Sequence, residues 1–220
     1  MTVAEICESI RSGANDRVKQ ALTESPGLAN AKVEQGVSLL TYACYCRNTE
    51  AVNLIKQKKG GLDVFESACV GDLSSLRLHL DRQPETLNVH SADGFSLLGY
   101  TCFFGHSALA QFLVERGANV NQASNNAFKV APLHSSCAVS DYATTDMLLR
   151  YGANPNVQQQ AGYTPLHEAA QNGKTELAKL LIDHGADVNA LTESGQTPVA
   201  LADEKGHAET AAMLRQRGGR

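Results

Sequence analysis

The chain has 220 residues, of which 43% are hydrophobic and 19% charged, and its formal net charge is −4. This length suits one sizeable domain or two small ones, and the acidic balance argues against nucleic acid as a partner. No run approaches the roughly 18 apolar residues of a membrane span, and no signal-peptide pattern opens the chain. Six scattered cysteines favour reduced thiols and a cytoplasmic location.

The first 117 residues contain one pattern twice, 58 positions apart. SLLTYAC at 38–44 returns as SLLGYTC at 96–102, and the same shift superimposes Gly13 on Gly71, Leu22 on Leu80, Pro26 on Pro84 and Gly36 on Gly94. This repetition predicts a duplicated pair of helical units, of which the second is abbreviated. We expect its junction around 56–64 to be the least regular, and Lys56, Lys58 and Lys59 to be a solvated helix end.

A period of 33 residues governs the second half, which contains Pro132, Pro165 and Pro198. The segment QASNNAFKV, before the first of these prolines, carries a two-residue insertion. Around the central proline, Thr164 suits a helix N-cap and Pro165 the first helical position. A short helix, a glycine and a second short helix follow. Both helices are too short to be stable alone, so each unit must be stabilised by its neighbours.

The segment GYTPLHEAAQNGKTELAKLLIDHGADVNA closely resembles the ankyrin repeat. The resemblance is tight in the last four units and loose in the first three, where the proline and histidine are missing. It implies an all-α ankyrin-repeat solenoid of about seven stacked helix-loop-helix units with β-hairpin-like connecting loops. We expect a single domain over 1–220, with approximate units 1–34, 35–58, 59–92, 93–126, 127–159, 160–192 and 193–220.

Two side-chain arrangements could carry chemistry. His134 and Cys137 lie at i and i+3, within reach of each other on one helix face, as a thiolate–imidazolium pair requires. However, Cys137 occupies a small-residue position that points into the stack, where a thiol is inert. Cys44 and Cys46 form a C-x-C, but i and i+2 point in opposite directions on a helix. We expect no enzyme activity, no cofactor and no metal.

The opening histidine of the motif, His167, is structural in the ankyrin family. Its position agrees with that role, because a side chain at the third helical position can reach back to the capping residue Thr164. His134 occupies the equivalent position, with Ala131 in place of the threonine.

The resemblance also implies a partner surface on the hairpin tips and the exposed side of the first helices. The positions of the repeat place nine candidate partner-binding residues there: Tyr45, Phe95, Phe103, Phe104, Phe128, Val139, Tyr163, Gln171 and Asn172. Five of them either form an exposed aromatic patch or fill space left by the irregular loop around 122–131: Phe95, Phe103, Phe104, Phe128 and Tyr163. We expect a monomeric, non-enzymatic module that binds another protein through its concave face and hairpin tips. The alternative is a regulatory or inhibitory subunit that blocks an enzyme or a toxin.

Overall fold

A computed structural model describes all 220 residues, which form fourteen α-helices and no β-strand. In chain order a short first helix alternates with a longer second one: α1 Val3–Arg11, α2 Asn15–Glu24, α3 Leu39–Tyr45, α4 Thr49–Lys58, α5 Val64–Val70, α6 Leu73–Arg82, α7 Leu97–Phe103, α8 Ser107–Glu115, α9 Pro132–Ala138, α10 Tyr142–Arg150, α11 Pro165–Gln171, α12 Thr175–Asp183, α13 Pro198–Glu204 and α14 Ala208–Gln216. None of these helices is long and apolar enough to cross a bilayer. The all-helical repeat architecture is the predicted one, and the residues divide into two compact units, 1–97 and 98–220.

Local capping explains where the first helices begin. In α11, Thr164 accepts from the backbone N–H of His167 and Pro165 occupies the first helical position, as the sequence predicts. Ser38 caps α3 in the same way, through a 3.1 Å hydrogen bond from the Thr41 N–H. Each start is therefore fixed by neighbouring residues.

Unit 1–97 contains the duplicated pattern as a structural repeat. Antiparallel bridges join Lys32 to Ser38 and His90 to Ser96, which places the same bridge 58 positions further along. Each bridge closes a tip, a short hairpin-like turn that spans 33–37 in one case and 91–95 in the other. The core of this unit is apolar, and its largest buried side chains are Ile6, Ile10, Leu22, Leu39, Leu40, Ile55, Leu76, Leu80 and Leu97.

The link between α4 and α5, residues 59–63, contains no tip. Here the prediction that Lys59 belongs to a solvated helix end is wrong. Its Nζ lies 2.9 Å from Glu66 Oε1, and only 6% of the Lys59 side chain and 3% of the Glu66 side chain are exposed. Nζ also donates to the carbonyl oxygen of Ala29 at 3.2 Å. The lysine thus ties the abbreviated junction to the preceding repeat.

Unit 98–220 consists of helix layers with small residues at the centre of the first helices. Cys137, Ala169 and Ala202 are completely buried, and α11 packs against both α9 and α13. Small side chains permit this close approach. The second helices α10, α12 and α14 form the other layer, also in contact with one another.

Three tips follow one another in this unit, and backbone hydrogen bonds connect them. The tips span 124–130, 159–163 and 192–196, so the predicted two-residue insertion lies within the first tip. The Gln160 N–H donates to the Phe128 carbonyl and the Glu193 N–H to the Ala161 carbonyl, both at 2.9 Å. These hydrogen bonds fix the position of each tip relative to the next one.

Candidate interaction surface

The ring of His167 links two repeats as a neutral hydrogen-bonding bridge. Nδ1 accepts from the Thr164 backbone N–H at 3.1 Å, which leaves the ring proton on Nε2. That nitrogen donates to the Gln196 carbonyl oxygen in the following tip, at 3.1 Å. Burial lowers the pKa of His167, so the ring is uncharged near neutral pH. This geometry gives the histidine a structural role.

His134 makes the same bridge one repeat earlier and is not poised for catalysis. Its Nδ1 accepts from the Ala131 N–H and its Nε2 donates to the Tyr163 carbonyl, both at 3.2 Å. Burial lowers the pKa of His134 to about 4 and raises the pKa of Cys137 to about 12. At pH 7 the imidazole is neutral and the thiol protonated, so the two do not form a thiolate–imidazolium pair.

The cysteines of the C-x-C segment, Cys44 and Cys46, are also not accompanied by further metal-binding side chains. Burial raises the pKa of Cys44 to about 12, which disfavours the thiolate that binds metal ions. No group of three or more His, Cys, Asp or Glu side chains in the structure could hold a metal ion.

Sequence reasoning missed a set of asparagines that connects the repeats. Their side-chain amides donate to the carbonyl of the glycine that ends the next repeat: Asn121 to Gly152 (2.9 Å), Asn156 to Gly185 (2.9 Å) and Asn189 to Gly218 (3.1 Å). The amide oxygens accept from backbone N–H groups of the same next repeat: Asn154 (2.8 Å), Asp187 (2.7 Å) and Arg220 (3.0 Å). The spacing of these asparagines follows the repeat period, which is a signal that could have identified them.

Unit 1–97 contains two of the predicted partner-binding residues, of which Tyr45 borders a groove. Tyr45, at the end of α3, is 36% exposed and its hydroxyl donates to Asp93 Oδ2 at 2.7 Å. Phe95 is half-buried on the tip 91–95. The groove has a volume of about 730 Å³ and lies between α1, α3 and the tip 33–37.

In unit 98–220 the predicted aromatic residues divide into exposed and packed rings. Phe103 is 41% exposed and Phe128, on its tip, is 55% exposed. Phe104 is half-buried between neighbours, with ring centroids 5.2 Å from Phe103 and 5.8 Å from Tyr100. The ring of Tyr163 lies 5.6 Å from that of His167 and is half-buried.

The remaining predicted residues lie at the ends of first helices. Val139 and Gln171 are half-buried and Asn172 is exposed. The Gln171 carbonyl accepts from His207 Nε2 at 3.0 Å, and the Asn172 amide donates to Glu168 at 2.9 Å. A binding role for all nine residues stays a prediction.

Comparison with known proteins identifies the repeat. The family model for ankyrin repeats, in three copies, matches residues 133–219. Residues 133–219 therefore consist of ankyrin repeats. Such repeats generally mediate protein–protein interaction, and the family is a non-enzymatic interaction module.

The relatives of these ankyrin repeats are much longer proteins. Human BCL-6 corepressor-like protein 1 is 32% identical over 116 residues, which is 52% of this chain and 6% of the relative. Mouse ankyrin repeat and SOCS box protein 16 is 40% identical over 60 residues, 27% of this chain and 13% of the relative. A putative ankyrin repeat protein, L371, of Acanthamoeba polyphaga mimivirus is 28% identical over 146 residues, 62% of this chain and 19% of the relative. The chain therefore spans only a small part of each.

Proposed function

We propose that these ankyrin repeats bind a partner protein through the tips and the exposed, concave side of the first helices. The exposure of the Phe103 and Phe128 rings, 41% and 55%, carries the proposal. Large aromatic side chains left in water are enriched at protein interfaces, where their burial contributes much of the binding energy.

The rigidity of the tips supports the same function. Each tip in unit 98–220 is closed by its own backbone hydrogen bond and joined to a neighbouring tip by another. A surface that is ordered before binding loses little conformational entropy when a partner docks. The half-buried Phe104, whose ring packs against Phe103, would hold that exposed ring in place. The other candidates would make further contacts with the partner: Tyr45, Phe95, Val139, Tyr163, Gln171 and Asn172.

We further propose a monomer that works in the cytoplasm without a cofactor. All six cysteines have free thiols, three of them buried, which suits a reducing compartment. Light scattering after size-exclusion chromatography tests the monomer.

Site-specific photo-crosslinking tests the partner surface. A benzophenone amino acid replaces Phe103 or Phe128 in one set of variants and Tyr142 or Tyr151 in the control set. The control tyrosines are 51% and 53% exposed but lie in or directly after a second helix, α10. In cells that express the chain, we expect one protein to be captured from 103 and 128 and competed away by excess unmodified chain.

The control variants should not capture that protein. Equal capture from 142 and 151, or no competable capture from 103 and 128, would contradict the proposed surface.

A further inference from the structure

The groove in unit 1–97 is lined by both apolar and polar side chains. The apolar ones include Val3 and Ala4 at the start of α1 and Val33 and Val37 on the tip 33–37. Tyr42 and Tyr45 border it from α3, one helical turn apart and therefore on the same helix face. The volume of about 730 Å³ falls within the range of ligand sites. Several side chains of an extended polypeptide can enter such a space.

The charges that line the groove favour a cation. Its two cations already face carboxylates, since Arg11 pairs with Glu8 and Lys32 Nζ lies 3.9 Å from Asp63 Oδ2. Among the lining residues there are also two further carboxylates, Glu34 and Asp93. Glu34 is exposed on its tip and forms no ion pair. A positively charged group that enters would therefore be attracted.

One carboxylate at the rim is fixed in position. The Tyr45 hydroxyl donates a hydrogen bond to Asp93 Oδ2 at 2.7 Å, and the Ser91 hydroxyl donates one to Oδ1 at 2.5 Å. These hydrogen bonds thus hold the Asp93 carboxylate beside the Tyr45 ring. An aromatic face beside a carboxylate suits a guanidinium group, because that group stacks on the ring and hydrogen-bonds the acid with its planar fork.

We propose that this groove receives an arginine side chain from an extended segment of the partner protein. The inference rests on the proposed function, since it names the chemistry that the partner protein presents to unit 1–97. The formal charge of the whole chain, −4, also favours the approach of a basic segment.

Titration of the full chain with three short probes tests the arginine preference. The probes are acetyl-Ala-Val-Arg-Val-Ala-amide and its twins with citrulline or lysine at the centre; citrulline has the shape of arginine without its charge. We expect the arginine probe to shift the NMR signals of Tyr42, Tyr45 and the tip 33–37. Its dissociation constant should be about fivefold lower than that of the citrulline probe, which corresponds to roughly 1 kcal/mol.

A matched pair of variants tests the position. Glu34→Gln should raise the dissociation constant of the arginine probe about threefold. Glu85, an exposed acid, lies outside the groove, so Glu85→Gln should leave that constant unchanged. Equal binding of the arginine probe and either twin would overturn the inference, as would equal effects of the two variants. If photo-crosslinks from Phe103 and Phe128 persist in that case, the proposed function stands while the arginine site fails.

Discussion

The ammonium group of Lys59 lies in the interior of unit 1–97. The Glu66 carboxylate and the carbonyl of Ala29 take the place of water around it. The same Glu66 also accepts from the Asp63 N–H at 3.0 Å through its other oxygen. A charge in such a place is compensated only while its partner is present, because desolvation of an unpaired ion costs several kcal/mol.

Replacement of Lys59 with methionine should therefore destabilise the protein by about 3 kcal/mol, because the Glu66 carboxylate would remain buried without its cation. Urea denaturation measures the loss. Lys58→Met, at the exposed neighbouring position, should change the free energy of unfolding by less than about 0.5 kcal/mol. Glu66→Gln in the Lys59→Met background should restore part of the loss, since the amide oxygen can still cap α5. Equal stability of the two methionine variants would show that the ion pair contributes nothing.

These side chains show which residue roles the sequence can predict. The role of His167 was predictable because its capping partner, Thr164, is three residues away. The burial of Lys59 was not, because it depends on Ala29, which is 30 residues distant along the chain. Likewise, the repeat pattern predicted that Phe103 and Tyr163 both lie near the surface. Only the structure shows that the Phe103 ring is exposed, whereas the Tyr163 ring packs against His167.

At the scale of elements, the tips depend on backbone conformation. Gly162 has a φ of 76°, and a Cβ at this position would come within 3.0 Å of the Glu193 nitrogen. That nitrogen donates the hydrogen bond that joins one tip to the next. Gly185, at the end of a repeat, has a φ of 92° but open space around it.

The two glycines provide a matched test of the connection between tips. Gly185→Ala should cost about 1 kcal/mol, from the left-handed backbone alone. Gly162→Ala should cost about 2 kcal/mol, because the new methyl group also disturbs the hydrogen bond from Glu193. Thermal and urea denaturation of both variants would give the difference. Identical losses would mean that the bond between tips adds nothing to stability.

The elements themselves were largely predictable, while the bonds between them were not. Proline, glycine and apolar spacing specify where helices such as α11 begin and end, and the insertion was visible as a change in period. The bond from Gln160 to Phe128 joins two backbone groups, so no side chain in the sequence indicates it. The asparagine bridges were detectable in principle, because Asn156 and Asn189 occupy the same position of successive repeats.

At the scale of the whole molecule, the two histidine bridges make stability depend on pH. His134 and His167 both lie in unit 98–220 and both have a lowered pKa because they are buried. In the unfolded chain such a side chain titrates near its usual pKa of 6.5. The unfolded state therefore binds more protons as pH falls below 6.5, and the folded state loses stability over that interval.

We expect acid to weaken unit 98–220 before unit 1–97. For His134, whose folded pKa is about 4, the loss between pH 6.5 and 4 should reach roughly 3 kcal/mol. Amide exchange at pH 7 and pH 5, corrected for intrinsic rates, should show a larger loss of protection in 98–220. His134→Gln should flatten this dependence, because it removes the titrating group. An equal loss in both units would contradict the assignment.

The asparagine bridges also determine how this chain could be shortened. Asn156 and Asn189 are 33 positions apart and each holds the turn of the repeat that follows. Excision of 157–189 would bring Asn156 opposite the Gly218 carbonyl, in the place that Asn189 now occupies. The hydrogen bonds to the Gly218 carbonyl and from the Arg220 N–H would then form again at the new junction. A cut of any other length would leave the asparagine out of register, which makes the whole repeat the smallest removable part of this half of the protein.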